Sequence, residues 1–215
     1  MKQLRILLAN QNPILRGTLR VLIERHPGLR VVGEASNGQE AVLLVEFGLP
    51  DVLVLDIRLP AKTGLATARE VAVKQPAPAI IFVSMLYNRE YVIEAFKGGA
   101  RGYVTEDTAQ SDLVVAIRAV TRGSFFLSSA ISSLLIDSLP GDAGQKSVQL
   151  TQHEKQIFYF LAEGQSEDDI ARSLHCEVAT AIAECRRVKN ALEADELLAP
   201  ILKSMKTVSP APGER

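Results

Sequence analysis

The chain has 215 residues, of which 47% are hydrophobic and 23% are charged, and its formal net charge is −1. This length allows one large domain or two small domains with their own hydrophobic cores. No apolar stretch approaches the roughly 18 residues needed to cross a bilayer, and the first residues enter a predicted strand without the layout of a signal peptide. We therefore expect a cytoplasmic protein with no membrane segment.

Charge is divided unevenly along the chain. Residues 151–215 contain eight Lys and Arg against eleven Asp and Glu, a net charge of −3, whereas residues 1–150 have a net charge of +2. A basic C-terminal part would have favoured nucleic acid as the partner. The acidic balance argues mildly in the other direction.

Short apolar runs alternate with helical stretches up to about Gly123, a pattern typical of βα units around a parallel sheet. The predicted strands cover residues 4–8, 30–34, 52–55, 79–84 and 102–105, and the predicted helices cover residues 13–25, 38–47, 65–74, 89–98 and 109–122. Residues 1–124 therefore predict an α/β domain with a flavodoxin-like, doubly wound (βα)5 fold. The switch point of this fold lies between its first and third strands.

The rest of the sequence predicts a small all-α domain. Thr151 and Ser166 each precede an acidic residue by three positions, as the N-cap of a helix often does, and a third helix is predicted over residues 179–192. The last two helices form a helix-turn-helix candidate. The predicted divisions are residues 1–124, a helix and flexible linker at 125–149, the helix-turn-helix domain at 150–205 and a disordered tail at 206–215.

Asp56 is the most informative single residue of the chain. It follows the apolar run 52–55, which is typical of a strand buried on both faces, and ligands of open α/β sheets bind at the carboxyl ends of such strands. A carboxylate there could accept a phosphoryl group if a cation offset the converging negative charge. Asn10 and Gln11, which follow the first strand, supply amides and no carboxylate.

These features together resemble the NarL/FixJ-type two-component response regulators, which join a receiver domain to a LuxR-type helix-turn-helix domain. The resemblance extends from Arg5 to about Leu198. The stretches that carry it, in order and spacing, are 31–38, 50–60 and 98–103 in the first domain, and 150–151, 161–164 and 170–171 in the second.

The resemblance implies roles for three residues of the first domain. Asp56 matches the aspartate that takes a phosphoryl group from a histidine kinase. Ser84 matches the hydroxyl residue that moves toward the phosphoryl group, and Tyr103 matches an aromatic residue of the family's switch.

The helpers of that aspartate are changed. Asn10 and Gln11 match the acidic pair that holds magnesium in the family. Glu106 stands near the position where the family has a lysine that pairs with the phosphoryl oxygens. Loss of carboxylates removes attraction for Mg²⁺, and an acid near the phosphate adds repulsion. We therefore expect no cofactor, Mg²⁺ binding that is weak or absent, and phosphorelay control that is weakened or replaced. Efficient phosphorylation of Asp56, and a metal carboxylate supplied by Glu106, remain as alternatives.

The third helix of the second domain enters the major groove in LuxR-type proteins. The DNA-binding residues that the resemblance predicts are Thr180, Ala181, Arg186, Arg187 and Lys189. Ile182 and Glu184 stand where Lys and His are frequent, and an acid facing phosphate is unfavourable. The basic residues could instead pair with Glu184 or Glu193 on a solvated helix face.

The expected function is regulation of transcription by a protein that binds promoter DNA as a homodimer, is not an enzyme and has a possible sensor histidine kinase as partner. The alternative is a protein that acts through protein–protein contacts without sequence-specific DNA binding. The acidic second domain and Glu184 favour the alternative, whereas the helix-turn-helix pattern favours the first.

The remaining titratable residues match no site. His26, His153 and His175 lie far apart without metal-ligand spacing, so surface or capping roles are expected. Cys176 and Cys185 lie in one helical region, and we expect reduced thiols.

Overall fold

The computed structural model describes residues 3–137 and 150–193, together with residues 199 and 201. In its first part, strands alternate with helices. The elements in chain order are β1 (Leu4–Ala9), α1 (Pro13–Glu24), β2 (Leu29–Ala35), α2 (Gly38–Gly48), β3 (Val52–Leu55), α3 (Gly64–Ala72), β4 (Ala79–Ser84), α4 (Arg89–Lys97), β5 (Ala100–Thr105), a 3-10 turn (Glu106–Thr108), α5 (Ala109–Thr121) and β6 (Phe126–Leu127).

All strands pair in parallel, in the order β2-β1-β3-β4-β5-β6. The flavodoxin-like, doubly wound fold is confirmed, and each predicted strand and helix of this domain is present with ends within two residues of the prediction. The sequence did not predict β6. It has two residues, which pair with Gly102 and Tyr103, and two residues are too few to show an alternating pattern.

Apolar layers cover both faces of the sheet. Because successive side chains of a strand point to opposite faces, Val52 and Val54 of β3 pack with α1 and α5, whereas Leu53 and Leu55 pack with α2, α3 and α4. All four side chains are buried. This packing on both faces fixes the carboxyl end of β3, where Asp56 follows.

The C-terminal helices are α6 (Ser129–Asp137), α7 (Gln152–Ala162), α8 (Glu167–Leu174) and α9 (Val178–Glu193). The two predicted N-caps are present as capping boxes, Thr151 with Glu154 and Ser166 with Asp169. None of the helices in the described ranges has the length and apolar content to cross a membrane. The predicted linker and tail lie outside the described residues, and the domain boundaries remain predictions.

Helix α7 packs against α6 and β6. The Tyr159 hydroxyl lies 3.2 Å from the Ser133 hydroxyl of α6. The turn after α7 places Gly164, at a φ of +70°, where a Cβ atom would lie 2.8 Å from both the Cβ of Ala119 and the carbonyl oxygen of Phe125. A glycine is therefore required where the C-terminal helices meet the end of α5.

Candidate functional sites

Asp56 lies in the loop that follows β3, and its side chain is only 3% exposed. Its backbone N–H donates to the carbonyl of Ala9 over 2.9 Å, which ties the ends of β1 and β3 together. The carboxylate oxygen Oδ1 accepts from the Ser84 hydroxyl over 2.9 Å and from the Arg58 N–H over 3.2 Å. Asp56 therefore lies at the predicted switch point between β1 and β3, in a small crevice that Asn10 also borders.

The two amide residues at the end of β1 differ in position. Asn10 is 4% exposed and borders the same small void as Asp56, whereas Gln11 is exposed. The Asn10 side chain accepts from the Asn12 N–H over 2.7 Å. The backbone carbonyl of Asn10 accepts from the Arg16 guanidinium over 2.7 Å. Asn10 thus shapes the β1–α1 loop without adding negative charge to the crevice. The described residues contain no cluster of three or more His, Cys, Asp or Glu side chains that could hold a metal ion.

Glu106 opens the 3-10 turn after β5 and is partly buried. The pKa of its carboxyl is raised, first by burial and then by the negative charge of Asp56. A backbone hydrogen bond from Met85 and the charge of Arg58 act in the opposite direction. The crevice therefore has two interacting carboxyl groups where an incoming phosphoryl group would need positive charge.

Ser84 and Tyr103 both form hydrogen bonds with the backbone of Leu86. The Ser84 hydroxyl accepts from the Leu86 N–H over 3.3 Å, and the Tyr103 hydroxyl donates to the Leu86 carbonyl. Tyr103 is fully buried and stacks on Phe82 with a centroid distance of 5.8 Å, and burial raises the pKa of its phenol. Leu86 was not predicted as part of the site, because its role lies in its backbone and leaves no signal in residue type.

The third helix of the C-terminal domain, α9, presents some of its predicted residues and hides others. Thr180 and Arg186 are exposed. Ala181 is fully buried, so the prediction of a direct DNA contact for it is wrong. Its place, one residue after Thr180, lies on the face of α9 that packs against the other helices.

The remaining basic residues of α9 are paired with acids. Arg187 lies 3.2 Å from Glu154 and 2.7 Å from Glu184, and Lys189 lies 3.8 Å from Glu167. This is the ion-pairing alternative that the sequence left open, with Glu184 as one of the acids. It weakens both residues as contacts for phosphate.

The exposed start of α9 contains apolar residues that the prediction did not include. Val178 and Ile182 are 42% and 41% exposed, and Ala179 and Ala183 are exposed beside them. Their spacing of four residues, Val178 to Ile182 and Ala179 to Ala183, could have indicated one outward face.

The cysteines and histidines have local roles. Both cysteines are free, and burial raises the pKa of the Cys185 thiol to about 11. His26 bonds to the carbonyl of Leu22 over 2.9 Å, and His175 ends α8 in the left-handed region, with a φ of 55°.

Comparison with known proteins agrees with this architecture. The model of the response regulator receiver domain matches residues 6–118, and the parallel sheet with Asp56 at its switch point defines the first domain as a receiver domain. The nitrate/nitrite response regulator NarL of Escherichia coli K12 is 35% identical over 178 residues, which cover 81% of this chain and 82% of NarL. The transcriptional regulatory protein DesR of Bacillus subtilis 168 is 31% identical over 195 residues, which cover 88% of this chain and 93% of DesR. The chain belongs to the NarL/FixJ-type response regulators.

One solved structure extends the comparison to both domains. A structure of the RcsB response regulator from Salmonella typhimurium, determined to describe its conformational dynamism for DNA interaction, matches this chain with a TM-score of 0.61. The match covers 94% of this chain and 97% of the RcsB chain. At 22% sequence identity the two chains share the fold, a receiver domain followed by C-terminal helices.

Proposed function

We propose that this protein regulates transcription by binding promoter DNA through α8 and α9, as a homodimer in the cytoplasm, and that phosphorelay control is weakened or replaced. The observation that carries the proposal is the helix-turn-helix arrangement of a family member. Helix α9 packs on α7 and α8 through one buried face and leaves the opposite face exposed. An exposed second helix of this motif is the element that other such proteins place in the major groove.

A relative and one exposed residue of α9 support the proposal of DNA binding. DesR is a transcriptional regulatory protein that is similar to this chain over both domains. Arg186 is exposed on α9 and has no ion pair among the side chains that the structure describes, so it is the best phosphate contact of the helix. Thr180 supplies a hydroxyl that can reach either a phosphate or a base edge.

The charge around Asp56 supports the weakened phosphorelay. Asn10 contributes no carboxylate to a Mg²⁺ site, and Glu106 adds a negative charge near the acceptor. Phosphoryl transfer depends on positioning and on charge stabilisation, and both features oppose the second requirement. A sensor histidine kinase would therefore act on Asp56 inefficiently, and another signal would have to act on the receiver domain.

Selection of DNA from a randomised duplex library by the full chain tests the proposal. We expect an enriched sequence whose affinity falls as salt rises, since phosphate contacts release counterions. Arg186→Gln should weaken binding to all sequences and reduce the salt dependence, whereas Arg30→Gln, at the edge of the sheet on an exposed residue, should change neither.

A second candidate function is protein–protein interaction without sequence-specific DNA binding. The pairing of Glu184 with Arg187, which removes positive charge from α9, is the observation that favours it. Absence of both an enriched sequence and a salt dependence in the selection would support this candidate and refute DNA binding.

A further inference from the structure

The outward face of α9 is apolar over its first two turns. The side chains exposed there are those of Val178, Ala179, Thr180, Ile182 and Ala183. Each of them ends in methyl groups, and the Thr180 hydroxyl is the one hydrogen-bonding side chain among these five. The opposite face, which includes Ala181 and Cys185, is buried against the rest of the domain.

Two charged side chains near this face, those of Glu184 and Lys189, make contacts within the domain. Glu184 is only 22% exposed, accepts from Arg187 over 2.7 Å and lies 3.7 Å from His153. Lys189 is also 22% exposed and lies beside Glu167. The first two turns of α9 therefore offer neither a carboxylate to accept from cytosine nor a cation to donate to guanine.

The chemistry of the major groove decides what such a face can read. Guanine is read by bidentate Arg or Lys, and adenine by Asn or Gln, whereas apolar side chains contact the 5-methyl group of thymine. We propose that α9 selects DNA by contacts of Val178 and Ile182 with thymine methyl groups, while Arg186 binds a phosphate. This inference rests on the proposed DNA-binding function and specifies the feature of the DNA that is recognised.

The size of the face favours DNA over a protein partner. Each partner of a standard protein–protein interface buries about 800 Å² and 20–30 residues, whereas the apolar residues here are two side chains about 40% exposed and two alanines. The small side chains of Ala179 and Ala183 leave the backbone of α9 free to approach the edges of bases closely. The major groove of DNA, which admits a single α-helix, matches these dimensions.

Replacement of thymine by deoxyuridine tests the inference, because it removes the 5-methyl group and leaves every hydrogen-bonding atom in place. The full chain is first used to select a duplex, and each thymine of that duplex is then replaced singly. At one or two positions we expect binding to weaken by about fourfold per methyl group, the value that corresponds to one buried CH₂.

Two variants connect the methyl groups to the protein. In Ile182→Ala or Val178→Ala, the deoxyuridine effect should disappear at one position and persist at the other. Val73→Ala is the matched control, since Val73 is apolar, 79% exposed and at the end of α3, and it should leave both effects unchanged. Circular dichroism of each variant reports whether the fold is retained.

Each outcome distinguishes the two proposals. Equal affinity for the thymine and deoxyuridine duplexes overturns the thymine-methyl inference and leaves DNA binding in place. Absence of any selected sequence overturns both. If Ile182→Ala keeps its DNA affinity but loses self-association in sedimentation velocity, the face is a protein interface and the inference is again overturned.

Discussion

Replacement of Ser84 by alanine is expected to destabilise the protein through the buried carboxylate of Asp56. Ser84 is fully buried, and its hydroxyl donates to Asp56 over 2.9 Å and accepts from the Leu86 N–H over 3.3 Å. A hydrogen bond to a charged group contributes about 1.5–3 kcal/mol, and a buried group left without its partner adds to the loss. The longer bond to Leu86 contributes less. We expect S84A to lower the free energy of unfolding by about 2–3 kcal/mol.

Urea denaturation at pH 7, followed by circular dichroism, measures this loss. Ser111→Ala is the matched control, because its hydroxyl also lies within hydrogen-bond distance of a carboxylate, that of Asp112, and of a backbone group, the Thr108 carbonyl, but lies on an exposed surface. Exposed substitutions usually change stability by less than about 0.5 kcal/mol, and we expect that range for Ser111→Ala.

A double-mutant cycle with Asp56→Ala isolates the contact with the carboxylate. In that background only the bond to the Leu86 N–H remains to be lost, so Ser84→Ala should cost about 1 kcal/mol or less. An equal cost in both backgrounds would refute the reasoning, since the Ser84 hydroxyl would then stabilise the protein without the help of Asp56.

Three further predictions concern charge and backbone strain. With a small phosphodonor and Mg²⁺, mass spectrometry should show little phosphorylated protein, and a complete mass shift that is abolished by Asp56→Ala would contradict this. Gly164→Ala should lower stability by roughly 1–3 kcal/mol, the cost of a strained backbone conformation, because its φ is +70° and its Cβ would lie 2.8 Å from that of Ala119; Gly17→Ala, which meets open space in α1, should instead be stabilising in the same thermal melts. The raised pKa of Glu106 means that the folded state binds its proton more tightly than the unfolded state does, so stability falls as pH rises from the ordinary glutamate pKa to the raised one. Glu106→Gln should therefore stabilise the protein at pH 7 and have little effect near pH 4, as measured by denaturation at both pH values, and a gain that is equal at both would disprove it.

The fold could be predicted because its determinants are local and periodic. The apolar run 52–55 predicts a buried strand, and the polar residue after it is then expected at the carboxyl end of that strand, where ligands bind. Strand β6 could not be predicted, since pairing with Gly102 and Tyr103 rather than its own sequence makes Phe126 and Leu127 a strand. A strand that depends on pairing with residues distant in sequence leaves no local pattern by which to predict it.

The placement of the candidate residues could be predicted where residue type decides and was missed where geometry decides. Asp56 and Ser84 lie at the ends of two predicted strands, and their side chains are hydrogen-bonded; the roles that the resemblance implied for them stay predictions. Ala181 was predicted as a DNA contact from its place in the helix, but one position along a helix is a rotation of about 100°, which turned it into the core. The same rotation brings Ala179 and Ile182 to the outside; the resemblance placed Ile182 where Lys is frequent and indicated no role for Ala179.

The contacts around Leu86 connect the crevice with the C-terminal helices. Ser84 has a single hydroxyl proton, which it donates to Asp56, and its oxygen accepts from the Leu86 N–H, so Asp56 and Leu86 together fix the orientation of the hydroxyl. The carbonyl of Leu86 holds Tyr103, whose ring lies in the apolar cluster that also includes Leu135 of α6. Because α6 packs on α7, packed side chains form a continuous connection from Leu86 to the C-terminal helices. The signal that we propose in place of phosphorylation would then have a point of action other than Asp56: the backbone of Leu86, which bonds to both Ser84 and Tyr103.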